Sequence, residues 1–194
     1  MGSQGSPRTR LGYAARCLAA VVLALGLATP GVARAADDGD DALREQADAI
    51  LNMVRSRIAD CGDGPRVVAS ASVSDAIVPE TRPALRRNPM LEEAAARHAA
   101  AMARTRLFDH VGADGTTVRE RVNATGYRWR VIGENLAAGH PKLEEAVSGW
   151  LASRSHCAAL LDARYTEYGL ARTVSNSPSD AYGIYWTLVL GQPR

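Results

Sequence analysis

Apolar residues recur at helical spacing in four stretches of the chain and run together in two. Leu43, Ala47, Ile50, Leu51, Val54 and Ile58 fall on one helical face, behind an acidic cluster at 37–41 that suits a helix N-terminus, and Gly62 marks the stop. Residues 62–87 lose that period and hold three prolines, which predicts a long loop with at most one short extended piece near Val67. A second helix is predicted over 88–107, with Asn88 as N-cap, Pro89 at the first helical position, and Leu91, Ala94, Ala95, His98 and Met102 on one face. Thr117 and Glu120 form a capping box for a third, closed by Gly126. The fourth starts at Pro141 and buries Leu143, Val147 and Trp150. Residues 168–174 and 182–190 are extended runs around a polar hairpin loop, 175–181. Helices followed by a terminal hairpin predict an α+β sandwich. Trp150 and Trp186 lie in apolar periodic runs and are expected inside, whereas Trp129 in "YRWRV" is expected at the surface.

The N-terminus changes the picture. Arg8, Arg10 and Arg16 precede the apolar stretch 17–27, and "ARA" at 33–35 fits a small-x-small cleavage site. The stretch is too short to span a bilayer, so residues 1–35 are expected to be a signal peptide and 36–194 a single exported domain, periplasmic or secreted and not membrane-spanning. Of the 23 basic residues, four (Arg8, Arg10, Arg16 and Arg34) lie in that segment, leaving 19 bases against 21 acids. Net charge therefore gives no reason to expect nucleic acid or anionic lipid as a partner. Beyond Cys17 the chain has two cysteines, Cys61 and Cys157, and an isolated pair in an oxidising compartment is expected to form a disulfide.

No His-Glu-x-x-His, Gly-x-Ser-x-Gly, phosphate-loop or dinucleotide motif is present, so any site has to be assembled from separated segments. Of the four histidines, His98 sits on an apolar helical face and reads as a packed core residue, and His140 precedes Pro141 and reads as a helix cap in solvent. His110 lies in the turn-rich "FDHVGADG". Glu134 lies in "IGENLAAG", among small and apolar residues, and needs a cationic, hydrogen-bonding or metallic partner nearby. His156 and Cys157 are adjacent. Either they form a nucleophilic pair, or the histidine serves a site while the cysteine turns away to a disulfide; adjacent side chains seldom align for proton transfer. Asn123-Ala-Thr125 is a glycosylation sequon by pattern only.

Seven segments in order, "LNMVR", "LEEAAARHAAAMA", "FDHVGADGTTVRERVNATGY", "GENLAAG", "AVSGWLASRSHCAALL", "YTEYGLA" and "YWTLVLG", closely resemble bacterial members of the CAP superfamily, named for cysteine-rich secretory, antigen 5 and pathogenesis-related 1 proteins. The resemblance spans most of residues 42–191. It implies an α-β-α sandwich with a small antiparallel sheet between helices, and export. It also implies a cleft to which His110, Glu134 and His156 contribute. A second cleft glutamate of the family would fall at Ser153, so the full set is incomplete here.

Two imidazoles, one carboxylate and water would make an open zinc-type site, so zinc or another divalent metal at His110, Glu134 and His156 is a candidate; without metal the same group would be a hydrogen-bonded cluster. All three are expected in loops, with Ser153 at the rim near His156. The leading reading is an exported binding module for lipid, peptide or cell-wall material. The alternative is a hydrolase of peptide or peptidoglycan using metal-bound water or the His-Glu pair.

Overall fold

A computed structural model describes residues 31–58, 60–61 and 82–194, with side chains from Asp40 onward. Most of the expected signal segment and the extended piece near Val67 lie outside the described residues. Helix α1 (Gly31–Arg57) begins further back than its acidic cluster, and so carries Asp40 and Asp41 within its length. The other helices are α2 (Pro89–Thr105), α3 (Val118–Ala124), α4 (Leu143–Ala152) and α5 (Arg154–Leu161). The strands are β1 (Arg86–Arg87), β2 (Trp129–Ala138), β3 (Glu167–Val174) and β4 (Ile184–Pro193), arranged in the order β1-β3-β4-β2.

The helix signals act where the sequence puts them. The Asn88 side chain accepts the Met90 amide, and Thr117 and Glu120 complete their capping box. The predicted fourth helix starts two residues after Pro141, at Leu143, and a separate short helix follows Ser153.

β4 is central and almost entirely buried, which explains its unbroken apolar run. Trp186, Leu188 and Leu190 join the α1–α4–α5 side, with Leu51, Trp150 and Leu160. Val189 and Tyr185 pack on the α2–α3 side, with Leu91, Val122 and Met102. The result is a helix–sheet–helix sandwich with a core on each face. Trp150 and Trp186 are each 1% exposed, and their indole N–H groups donate to Leu136 O and His140 O. Trp129 is half-buried, its N–H taken by Asn123 Oδ1.

Three elements differ from the sequence reading. The sheet is mixed, because β1 pairs in parallel with β3 while the other pairs are antiparallel. Two arginines have no strand signature; their pairing is imposed by the position of Glu167 and Tyr168. β2 was expected as a loop. A register irregularity between Trp129 and Val131 breaks its alternation, and beyond it two polar residues, Glu134 and Asn135, turn inward on opposite faces. Glu134 is therefore on a strand and His156 on α5, and of the three expected loop residues only His110 is in one.

Cys61 and Cys157 are bonded, with Cα atoms 5.8 Å apart. The bridge ties the chain just past α1 to α5.

Gly169 sets how closely α2 can approach β3. A Cβ there would lie 2.0 Å from Glu92 N and 2.1 Å from Leu91 C, both main-chain atoms that cannot rotate away. Gly169→Ala should force α2 off the sheet and destabilise by about 2–3 kcal/mol, in the overpacking range. Thermal unfolding of this variant checks it, and a melting temperature equal to wild type would contradict it.

Candidate functional site

Glu134 supplies the centre. Its side chain is 2% exposed, although its main chain runs along the sheet edge. A buried carboxylate needs partners, and it has two. Oε2 accepts from Arg121 Nη2 at 2.8 Å, and Oε1 faces His110 Nδ1 at 2.9 Å. Arg121 is itself buried, 6% exposed at the side chain, and also donates to Thr116 O at 2.7 Å and His110 O at 3.0 Å. One guanidinium thus holds the carboxylate and both ends of the turn that carries His110. Arg121 is inward because α3 also buries its neighbour Val122.

The His110 ring is half-exposed. With an ionised carboxylate at Oε1, Nδ1 is the donor, leaving Nε2 toward solvent. Hydrogen bonding to Glu134 holds this imidazole above its ordinary range, against partial burial. His98 lies behind the cluster, 1% exposed, with Nε2 3.0 Å from Asp109 O, and burial holds its pKa down. It is the core histidine that its helical position predicts. Its Nδ1, like Arg121 Nε, is buried with no hydrogen-bond partner among the described residues.

His156 stands apart. Its pKa is lowered first by burial and then by the charge of His110, so the two imidazoles sense each other. Its ring makes no hydrogen bond to any other described residue; its carbonyl instead accepts from Asn135 Nδ2 at 3.0 Å. Asn135 is buried on the face opposite Glu134. Ser153 Oγ lies 3.3 Å from Ser155 Oγ, and no bond joins it to His156. Cys157 turns into the core and its disulfide, so the adjacent histidine and cysteine have separate roles. His140 is half-buried against Gly149 and does not cap α4, whose N-cap position is Lys142.

The donor set does not fit a metal ion as arranged. Both Glu134 oxygens are engaged, one by a cation, and His110 has only Nε2 to offer. Among the described residues no group of three His, Cys, Asp or Glu side chains is placed to hold an ion.

An apolar rim flanks this cluster. Phe108 (39% exposed), Val111 (45%) and Tyr182 (48%) stand out from the surface, with the Phe108 and Tyr182 rings 5.5 Å apart between centroids. Sequence reasoning missed Arg121 and this rim. The need of Glu134 for a cationic, hydrogen-bonding or metallic partner is legible, but Arg119, Arg121, Arg128 and Arg130 are equally eligible by position.

No curated protein matches the chain. Solved structures share its fold. An outer surface protein of Borrelia burgdorferi aligns at 24% identity over 57% of this chain and 78% of that one, with a TM-score of 0.51. An extracellular protein containing a SCP domain, from Bacillus anthracis, aligns at 24% identity over 57% of this chain but 34% of its own, with a TM-score of 0.50. A venom allergen-like protein of Schistosoma mansoni aligns at 14% identity over 77% of this chain and 88% of that one, again at 0.50. The CAP family model, described as the cysteine-rich secretory protein family, matches residues 81–190, more than half of the chain, and the chain belongs to that family.

Proposed function

We propose that this protein is an exported CAP-domain binding module, working in the periplasm or outside the cell, that takes lipid, peptide or cell-wall material on the surface formed by His110, Phe108, Val111 and Tyr182. Export is supported by the N-terminal segment and by the surface or extracellular descriptions of the two bacterial structures. Among the described residues no helix is long and apolar enough to cross a membrane. One observation carries the binding reading: Glu134 is already satisfied on both oxygens, so the cluster is a preformed wall presenting a half-exposed imidazole, His110, beside exposed aromatic rings. Preorganisation lowers the ordering cost of binding.

The hydrolase reading rests on the same pair. Glu134 orients His110 through Nδ1, so Nε2 could take a proton from water. No described side chain hydrogen-bonds Nε2, so no side-chain nucleophile is activated there. The divalent-metal reading is the weakest, since it requires Glu134 to release Arg121 or His110.

The test incubates the protein with solubilised peptidoglycan fragments, following amide shifts and released termini. Binding predicts saturable shifts confined to the segments around Phe108, His110 and Tyr182, with fragments recovered intact. Cleavage abolished by His110→Ala would contradict it in favour of the hydrolase.

A further inference from the structure

The outer side of α3 and the start of β2 form a second feature, separate from the Glu134 cluster. A groove of about 490 Å3 is lined by Arg119, Asn123, Tyr127, Arg128, Trp129 and Arg194, with Gly126 between. No Asp or Glu side chain lines it. The nearest acid along the chain, Glu120, is committed to Thr117, whose N–H and hydroxyl it binds. Among the described residues none of the three guanidiniums is ion-paired with a carboxylate. All three arginines are exposed, so three like charges gather here with no acidic side chain in the lining.

The groove is built rather than accidental. Trp129 packs against the Leu91–Val122 core cluster, its N–H donates to Asn123 Oδ1 at 2.9 Å, and the Arg119 guanidinium lies over its ring, 5.8 Å from the centroid. Arg194 donates through its main-chain N–H to Arg128 O and through Nε to Trp129 O, each at 3.0 Å, which brings the ends of two strands and their side chains together. The polar side chains that line it are mostly donors: guanidinium N–H groups and the Asn123 amide N–H.

We infer that this groove binds a linear phosphodiester polymer through its charged backbone. Separated guanidiniums along a groove suit a repeating, singly charged unit better than one compact anion, and the guanidinium fork matches phosphate oxygens two at a time. Nucleic acid is disfavoured because the Trp129 indole is half-buried against the core and has Arg119 over its ring, which leaves little of it on which to stack a base. The balanced charge of the whole chain hides this patch, since it is local.

Trp150 and Trp186 are buried, so Trp129 is the indole whose fluorescence reports ligand. The protein is titrated with poly(glycerol phosphate), with oligothymidylate and with polyglutamate of equal charge, at rising salt. Poly(glycerol phosphate) should bind saturably, with log affinity falling against log salt at a slope of about −2, as expected for release of counterions from two or three phosphates. Arg119→Gln, Arg128→Gln and Arg194→Gln should each weaken binding about threefold, and the triple variant about thirtyfold, at the strength of exposed ion pairs. Arg97→Gln, on α2, should change nothing. The unfolding transition of each variant shows whether it is folded, and the single variants suffice if the triple is not. Absence of saturable binding, indifference to the three substitutions, or equal affinity for polyglutamate would overturn the inference. Tighter binding of oligothymidylate would overturn it in favour of a base-reading site.

Discussion

Arg121→Ala should unfold the protein at a temperature lower by about 10 °C. The substitution strands a carboxylate that is 2% exposed, and breaking one partner of a buried pair costs about 3–5 kcal/mol. In a domain of this size each kcal/mol shifts the midpoint by about 2–4 °C. The loss extends to the His110 turn, since the same guanidinium holds Thr116 O and His110 O. Replacing both members, Arg121→Met with Glu134→Leu, should cost less than the single change, because no unpaired charge then remains inside. Calorimetric melting of the two variants decides it. If Arg121→Ala melts with wild type, Glu134 does not depend on Arg121.

Reduction of the Cys61–Cys157 bond has an effect of similar size for a different reason. The bridge spans 96 residues, and closing a loop that long removes chain entropy from the unfolded state worth about 4–5 kcal/mol. The residues it encloses include α2, α3, β2 and α4, while α1, β3 and the central β4 lie outside the closed loop and pack against them. Cys61→Ala with Cys157→Ala should lower the midpoint by about 10–15 °C, and reductant should do the same to wild type while leaving the double variant unchanged. A reductant-insensitive midpoint in wild type would contradict this account of the bridge.

The parts of the fold readable from sequence are those with a local cause. Asn88–Pro89, the Thr117–Glu120 box and the apolar faces of α1, α2 and α4 each state a helix through capping or periodicity, and the unbroken run at 184–190 states a strand buried on both sides. β1 and β2 have no such cause. Arg86 and Arg87 become a strand only because β3 lies beside them, and β2 hides its period behind an irregularity and two inward polar residues. The site divides in the same way. The need of Glu134 for a cationic, hydrogen-bonding or metallic partner follows from its small and apolar surroundings. The choice of Arg121 depended on the rotation of α3 against β2, a tertiary fact. His156 is carried by α5, which packs on the other face of the sheet, where Asn135 reaches its carbonyl, and its ring still feels the charge of His110. Cys61 and Cys157 needed no geometry, since beyond Cys17 the sequence offers a single pairing.

Stability should carry the mark of the three histidine shifts, with His156, lowered by burial, acting in the same sense as His98. His110 is raised, so its contribution is fully present below about pH 6.5 and is lost as pH rises through its folded pKa. His98 is lowered by burial, so its contribution is present above about pH 6.5 and is lost as pH falls. The central claim is that Glu134 orients His110 through Nδ1 and leaves Nε2 outward for a ligand. Imidazole 15N shifts of His110 across a pH titration test it directly. The account predicts a neutral ring protonated at Nδ1, with a midpoint above the ordinary value of about 6.5. A ring protonated at Nε2, with a midpoint at or below that value, would contradict it.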